Sequence, residues 1–419
     1  MNVGVLSLVL LIVAITVGFF RKANVGIICI GFAMVIAILF KSPQINAKTV
    51  VSGFNTGLFI QMVGVTYLFA IINANGTLEL MAKKIVALMP ARLIPFAMFI
   101  IGGILSAVGP GSIPCLAIIP VIAIPISLSA GINPIMTAII GDMGAMAFRM
   151  SPLTPEAAVV RSLMVAQKMD GNTIPIMVCT AITSVVCCAI VYVYYKGWHV
   201  DESIASAEKE ELPPFTWQNY ASLATLFVLG FGVLVLKWNV GLTGFAMGSL
   251  LIVLGCGSEK KAISGVPWNV IMMVLGVGML MKIVTLSGGI KYMVAVLQTI
   301  LNASTAAPVM ALFAGIMSFF SSGLGVVFPT LVPICGDLAN TLGADGIQLV
   351  AMVVIGGTIA GYTPISTTGA LIMAGVAQQK DAEERFPQNK MFIELFVVSV
   401  LNIIILAIMA GCGVYSLFA

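Results

Sequence analysis

A single arginine, Arg149, ends a long apolar segment and directly precedes the sequence Met150-Ser151-Pro152-Leu153-Thr154-Pro155. A charged side chain at membrane depth is costly and marks a functional site. Pro152 and Pro155 lack amide protons, so a helix must stop here, and Thr154 is the predicted N-cap of a second half-helix. The free amides of that half-helix beside a guanidinium group suit a carboxylate ligand.

A second interpretation makes Arg149 structural, paired with Asp142 or with Glu156 to hold the broken helix together. Asp142 lies seven residues before Arg149, two helical turns away and on the same face. Glu156 lies in the first turn of the predicted half-helix, where the helix dipole favours a carboxylate. Asp142, Glu156 and Asp337 are candidate proton-linked groups, and each could equally be the satisfied partner of a buried polar group.

The sequence matches itself when it is shifted by a fixed number of residues, here called the repeat offset. This shift aligns Gly53 with Gly265, and the matching region includes the break after Arg149. Seven glycine pairs fall at the repeat offset: Gly53/Gly265, Gly64/Gly276, Gly76/Gly288, Gly103/Gly315, Gly111/Gly323, Gly131/Gly343 and Gly144/Gly356. Pro152 falls on Pro364. Two halves that carry interrupted apolar segments in corresponding positions indicate the binding site of a secondary transporter.

The matching break in the second half runs from Gly361 to Gly369 and carries hydroxyl groups but no charge. Its hydroxyl residues are Thr363, Ser366, Thr367 and Thr368. Hydroxyls and unwound carbonyls suit a sodium ion or the second end of an anion. They could alternatively satisfy only the backbone that Pro364 frees, as Ser and Thr commonly do in membrane helices.

Composition identifies the elements that must position these breaks. The chain is 60% apolar and only 9% charged, with a mean hydropathy of +1.12, which is typical of a polytopic membrane protein. Apolar runs predict ten crossings. Two further apolar stretches, about 93–130 and about 305–342, are interrupted midway by small and polar residues and are predicted to be re-entrant hairpins. Non-helical backbone at that depth is tolerated only around a protein-lined or watery site.

The predicted fold is all-α, with two repeats that each contain five transmembrane helices and one hairpin, and with broken helices at the midplane. An odd number of crossings inverts the second repeat. Repeat A spans residues 1–196 with its broken helix at 134–167, and repeat B spans 215–419 with its broken helix at 345–380. A linker at 197–214 joins them. The distribution of Lys and Arg places both termini outside and the linker in the cytoplasm.

These residues resemble the ion transporter superfamily, and within it the malonate and dicarboxylate carriers of the MatC type. The resemblance rests on Gly102-Gly103, on the Gly-Pro-Gly of 109–111, on the two breaks and on Arg21-Lys22-Ala23-Asn24-Val25-Gly26. It covers nearly the whole chain. It implies a homodimer in the cytoplasmic (inner) membrane in which a transport part made of hairpins and broken helices moves past a fixed scaffold, like an elevator.

The related divalent anion/sodium symporters carry a Ser-Asn-Thr motif at each hairpin tip, which binds carboxylate and sodium. Here the tips read Gly109-Pro110-Gly111-Ser112 and Ser321-Ser322-Gly323-Leu324, without asparagine. Ser112, Ser321 and Ser322 are therefore only positional equivalents of those ligands. Arg149 indicates a different way to neutralise a carboxylate.

The sequence thus predicts a secondary active transporter of a small dicarboxylate, malonate or a C4 acid, coupled to a sodium or proton gradient. The predicted substrate-binding residues are Ser112, Arg149, Ser151, Thr154, Ser321, Ser322, Thr363, Ser366, Thr367 and Thr368. The predicted ion-binding residues are Ser106, Gly109, Gly111, Ser318, Gly323 and Gly361. Apart from Na⁺ as a coupling ion, no metal, cofactor or nucleic acid is expected, because the eight cysteines lack metal-type spacing and no basic patch has interleaved aromatics.

Three alternatives remain at this stage. The chain could be the membrane subunit of a binding-protein-dependent transporter, or an ion or metalloid exchanger of the same superfamily. A more remote alternative is an intramembrane enzyme, because Gly141-Asp142 and Gly336-Asp337 resemble the motifs of membrane aspartyl proteases. Paired catalytic carboxylates should lie in a shared cavity, whereas these two belong to different predicted elements. No P-loop motif is present, so ATP is not the driver within this chain.

Overall fold

Helices account for most of the chain. The computed structural model describes residues 3–40, 44–87, 90–109, 111–199, 212–320, 322–359, 361–363, 366–377 and 386–418. Within those ranges it contains twenty α-helices. The linker residues 200–211 lie outside the described part of the chain.

Ten of these helices precede the linker. They are α1 (Val3–Arg21), α2 (Val25–Phe40), α3 (Ala47–Ser52), α4 (Thr56–Ala74), α5 (Thr77–Ala87), α6 (Ile94–Val108), α7 (Ser112–Ser129), α8 (Pro134–Ala147), α9 (Pro155–Ala166) and α10 (Ile174–Tyr194).

The other ten follow the linker. They are α11 (Trp217–Leu234), α12 (Val240–Val253), α13 (Glu259–Gly265), α14 (Trp268–Leu286), α15 (Gly289–Leu297), α16 (Ala303–Phe320), α17 (Phe328–Leu342), α18 (Gly346–Ile359), α19 (Thr367–Ala377) and α20 (Gln388–Gly411), with a π-helical turn at Gly323–Val327 before α17.

Each helix of the first ten overlaps a helix of the second ten at the repeat offset. Five pairs begin at residues that correspond without any slip: α3 and α13, α4 and α14, α5 and α15, α8 and α18, and α9 and α19. The short helices α3, α5, α13 and α15 were not among the crossings predicted from hydropathy. They too fall into two pairs at this offset, which extends the self-match from glycines and prolines to the helices themselves.

Helices from the two halves pack against each other in a reciprocal way. Helix α4 packs on α12, and its counterpart α14 packs on α2. Helix α9 packs on α17, while α19 packs on α7. The half-helix that follows each break therefore lies against the second arm of the other half's interrupted stretch.

The two interrupted stretches each form two helices around a short break. Helix α6 ends at Val108 and α7 begins at Ser112, whereas α16 ends at Phe320 and the π-helical turn begins at Gly323. Pro110 and Ser321 at the two tips lie outside the described residues. Whether the arms cross or re-enter the bilayer stays a prediction.

Close helix packing requires glycine at equivalent positions. A Cβ on Gly144 of α8 would overlap the backbone carbonyl of Phe99 on α6. A Cβ on Gly356 of α18 would come too close to the carbonyl of Ala311 on α16, which corresponds to Phe99 at the repeat offset. Both close contacts are with backbone, so no side-chain rotation could relieve them. The first arm of each interrupted stretch is therefore held tightly against the helix that precedes each break.

Seven helical segments in the described residues are long and apolar enough to cross a membrane. They are Ala47–Ala74, Ala91–Val108, Ser112–Ser129, Ile174–Tyr194, Trp268–Leu286, Gly323–Leu342 and Gln388–Gly411. Shorter apolar helices, such as α1, α2, α8 and α18, accompany them. The protein is a multi-pass membrane protein, as its composition predicts.

We expect Gly144→Ala to destabilise the protein by about 1–3 kcal/mol, the usual cost of overpacking a filled interior. The physical reason is that α6 and α8 must separate to admit the methyl group. Gly31→Ala on α2 is the matched control, because a Cβ there meets nothing within 4 Å. Thermal unfolding in detergent measures both variants, and equal melting temperatures would contradict the proposed tight contact.

Candidate anion-binding site

The turn between α8 and α9 is fixed by its own hydroxyl groups. Thr154 is the N-cap of α9, and its Oγ1 accepts a hydrogen bond from the amide of Ala157 at 3.1 Å. The same hydroxyl donates to the carbonyl of Arg149 at 2.6 Å. Ser151 donates to the carbonyl of Ala107 at 2.7 Å, near the end of α6. The turn is thereby closed on itself and tied to the first tip.

The second break carries the same hydrogen bonds at the repeat offset. Ser366 donates to the carbonyls of Gly361 and Thr363, and its Oγ accepts from the amide of Gly369 at 3.2 Å. The corresponding bonds of Thr154 go to residues 149, 151 and 157. The two breaks thus share one backbone design and differ in the side chains that they hold.

The charge at the first break is paired with Glu156. Arg149 Nε donates to Glu156 Oε2 at 2.6 Å, and the two side chains are 6% and 1% exposed. Of the two partners that the sequence allowed, the structure therefore selects Glu156. A buried pair of this kind is favourable only when its remaining polar atoms also find partners.

The other carboxylate oxygen of Glu156 is bound by the tip between α6 and α7. Oε1 accepts hydrogen bonds from the Ser112 hydroxyl at 2.9 Å, the Ser112 amide at 3.1 Å and the Ile113 amide at 3.3 Å. These amides belong to the first turn of α7, where helical amides lack intrahelical partners and the helix dipole is positive. Gly111 makes the approach possible: its φ is +73°, and a Cβ there would lie 3.1 Å from the Glu156 carboxylate.

Arg149 also reaches the second half of the chain. Its Nη1 donates to Thr358 Oγ1 at 2.6 Å, and the guanidinium carbon lies 5.3 Å from the centroid of the Phe328 ring. Among the described residues, none accepts a hydrogen bond from Nη2. Neither Thr358 nor Phe328 is among the predicted site residues. Thr358 carries a weak signal, because it is a hydroxyl three residues before Gly361, the residue that corresponds to Arg149.

These contacts form a preformed carboxylate site. A guanidinium group, two helical amides and a hydroxyl converge on one carboxylate in a buried part of the protein. Charge-assisted hydrogen bonds of this kind are roughly twice as strong as neutral ones. The arrangement can hold a carboxylate, and at present it holds the protein's own.

A second carboxyl group nearby has no such partners. Asp142 on α8 is fully buried, and neither carboxylate oxygen has a hydrogen-bond partner in the described part of the chain. The same holds for the buried hydroxyls of Ser106, Tyr362 and Thr363. Buried polar groups without partners are uncommon in proteins and call for an explanation.

Among the predicted residues, the structure brings Ser112, Arg149 and Glu156 into direct contact. Ser318 instead donates to the carbonyl of Gly357 at 2.9 Å, and Ser322 accepts from the amide of Gly325 at 3.1 Å, so both hydroxyls serve the second tip. Gly323 lies where a Cβ would overlap the carbonyl of Gly357.

Other predicted residues have different surroundings. Gly109 lies against the ring of Phe69, and Thr368 is buried in α19. Asp337 is exposed on α17. Ser321 and the side chain of Thr367 lie outside the described residues.

An apolar cavity of about 510 Å³ lies beside the first tip. It is lined by α4, α5, α6 and α11, and Val108 and Leu153 bring it next to the first break. Its lining offers no charged group, so it suits apolar matter and not a carboxylate. No cluster of His, Cys, Asp and Glu that could hold a metal ion occurs among the residues that the structure describes.

Comparison with known families covers the first third of the chain. Residues 1–148 match the dicarboxylate carrier protein MatC N-terminus. The resemblance to MatC-type carriers is confirmed over this stretch, which includes the first tip and Asp142 and ends one residue before Arg149. Among curated proteins, none matches the chain.

Solved structures of other membrane transporters share the fold of nearly the whole chain. The YdaH transporter of Alcanivorax borkumensis is 11% identical with a TM-score of 0.63, over 99% of this chain and 98% of that one. MtrF of Neisseria gonorrhoeae is 14% identical with a TM-score of 0.57, over 90% of this chain and 84% of that one. The chain therefore has the fold of these membrane transporters, and at such low identity the likeness extends to the fold alone.

We expect removal of either member of the buried pair to be costly. Glu156→Leu or Arg149→Met should each destabilise it by about 3–5 kcal/mol, because the other charge is left buried and unpaired, while the double variant should be more stable than either single one. Glu79→Gln, which removes a partly exposed pair with Lys83, is the control and should cost at most about 1 kcal/mol. Denaturant unfolding in detergent completes the cycle, and additive effects of the two single changes would show that the pair is not coupled.

Proposed function

We propose that this protein is a secondary active transporter that carries a small dicarboxylate, malonate or a C4 acid, across the cytoplasmic membrane. The observation that carries the proposal is the buried carboxylate site made by Arg149 and the N-terminus of α7. A site that binds an internal carboxylate with this donor set can bind an external one. The match of residues 1–148 to a dicarboxylate carrier family supports the same substrate class.

The second end of the substrate would lie towards the second break. Thr363, Ser366, Thr367 and Thr368 surround the start of α19, where free amides and the positive end of the dipole would meet an anion. Thr358 already joins Arg149 to this side of the molecule. Two carboxylates separated by one or two carbons would then be bound by a guanidinium at one end and by hydroxyls and amides at the other.

The paired helices support a repeat mechanism. If the second ten helices enter the membrane inverted relative to the first ten, exchange of the two halves' conformations gives alternating access. In the proposed arrangement both termini lie outside, the linker is cytoplasmic, and the protein works as a homodimer with an elevator-like transport part. The coupling ion is sodium or a proton; the hydroxyls of the tips and of the second break are the proposed sodium ligands.

Export is a second candidate, favoured by the apolar cavity beside the first tip. MtrF represents a class of antimetabolite efflux pumps. A transporter of that kind would need room for an apolar body next to a polar anchor, which the cavity and Arg149 together would provide.

We expect purified protein in liposomes to accumulate labelled malonate or succinate when a sodium or a proton gradient is imposed on its own. The reason is that the anion site is buried, so it must be exposed first to one side of the membrane and then to the other. Preloaded liposomes in the same assay measure efflux. Absence of gradient-driven movement of any C3 or C4 dicarboxylate in either direction would contradict the proposal.

We expect Arg149→Gln to raise the substrate concentration at half-saturation by at least about 30-fold. The reason is that truncation of one partner of a buried charge pair costs about 2–5 kcal/mol of binding. The half-saturation concentration of Arg149→Lys should lie between those of wild type and Arg149→Gln, since lysine keeps the charge without the planar guanidinium group. Arg161→Gln, an exposed arginine on α9, is the matched control and should leave half-saturation unchanged. Unaltered half-saturation in Arg149→Gln would make Arg149 a structural residue only.

A further inference from the structure

Glu156 is bound by its neighbours in the way that a ligand is bound. One oxygen accepts from the amides of Ser112 and Ile113 and from the Ser112 hydroxyl, and the other accepts from Arg149. Each donor comes from outside the helix to which Glu156 belongs: the first three from the start of α7, the last from the turn before α9. The carboxylate thus occupies an anion site formed by other elements.

A substrate carboxylate cannot use these donors while Glu156 holds them. Glu156 is 1% exposed and Arg149 5% exposed, so the pair leaves little room for a third charged group. Two carboxylates beside one guanidinium would also leave an uncompensated negative charge in a buried position, which is strongly unfavourable. Binding of substrate at Arg149 therefore requires Glu156 to leave or to lose its charge.

We propose that Glu156 is a tethered substitute for the substrate carboxylate, and that substrate displaces it only as Glu156 takes up one proton. This inference rests on the proposed function and names its coupling ion. When substrate arrives, a Glu156 oxygen forms an O–H bond with a proton from the same aqueous side. Arg149 and the α7 amides then bind the substrate carboxylate in place of Glu156. When substrate leaves on the other side, Glu156 releases that proton and returns to Arg149. One proton accompanies one substrate.

The charged and titratable groups around Glu156 leave it as the carboxyl group that responds to substrate at Arg149. Helix α7 contributes Cys115, whose thiol donates to the carbonyl of Gly111 at 3.3 Å. The segment before α19 contributes Tyr362, whose buried hydroxyl has no hydrogen-bond partner among the described residues. Asp142 is the one rival carboxyl, and it has no hydrogen bond to Arg149 in the described residues.

The two helices packed along α9 add no nearer group. Helix α4 carries only Tyr67 among titratable residues, and the Tyr67 ring lies 6.0 Å from the ring of Phe245 on α12, measured between centroids. Helix α17 carries Cys335 and Asp337, next to Gly336, whose amide donates to Gln167 at the far end of α9. Gln167 lies 11 residues beyond Glu156, a separation of about 16 Å along a helix.

Glu156→Gln separates displacement from protonation. The glutamine keeps the volume and one carbonyl acceptor for Ser112 and Ile113, but it has no charge for Arg149 and nothing to titrate. Substrate should displace it without a proton. The variant should therefore exchange substrate between the two sides but should no longer accumulate it.

The experiment compares wild-type protein, Glu156→Gln and Glu394→Gln in sodium-free liposomes with labelled malonate. Glu394 is the matched control, because its carboxylate accepts from Tyr195 at 3.2 Å and lies 3.9 Å from Lys390, away from Arg149. Wild type and Glu394→Gln should accumulate malonate on an inward proton gradient. Their apparent affinity should rise as pH falls, on the order of tenfold per pH unit where one proton is taken up per substrate. Glu156→Gln should show pH-independent affinity, intact exchange and an accumulation ratio of unity.

Proton-driven accumulation by Glu156→Gln would overturn the inference. The inference would also be overturned if Asp142→Asn lost proton-driven accumulation while Glu156→Gln kept it, since Asp142 would then carry the proton. If Glu156→Gln does not fold, calorimetry of malonate binding to wild type in buffers of different ionisation enthalpy replaces it. Uptake of one proton per malonate supports the inference, and binding without proton uptake overturns it alone. Absence of any dicarboxylate binding by wild type overturns the proposed function, and the inference with it.

Discussion

The need to keep one positive and one negative charge together in a buried position governs the centre of this protein. Either charge left there without the other would be strongly unfavourable. Every nearby element serves their contact: the Thr154 cap sets the turn, Gly111 lets the tip approach, and the start of α7 supplies the amides that complete the carboxylate's coordination. The close packing of α6 on α8 then fixes the tip relative to the turn.

Some of this centre could be predicted from the sequence. Pro152 and Pro155 cannot donate backbone hydrogen bonds, and Thr154 before Pro155 is a strong cap, so the helix break follows from local chemistry. The choice of partner does not. Asp142 and Glu156 both lie seven residues from Arg149, and on an unbroken helix Asp142 would share its face. The turn folds α9 back instead, and that geometry brings Glu156 to the guanidinium.

Contacts between distant segments could not be predicted from the sequence either, because they also depend on the folded geometry. Thr358 and Phe328 lie in the other half of the chain from Arg149, and nothing in their local sequence announces a partner. The missing asparagine at the first tip was visible in the sequence, but its consequence was not. The Ser112 hydroxyl and amide already have an anion to bind, and it is Glu156. The pairing of the short helices was equally invisible to hydropathy, because they are too short to cross.

The charged centre occurs once in a chain whose helices come in pairs. Gly361 stands where symmetry would put a second arginine, and Thr368 where it would put a second glutamate. A molecule built from two separate, identical subunits would have to carry both charges twice, with two guanidinium groups near one binding position. Joining the halves in one polypeptide removes that obligation, since each half can then change alone. The covalent link through residues 197–214 therefore allows a fold made of two corresponding halves to contain a single charged site that lies in one half only.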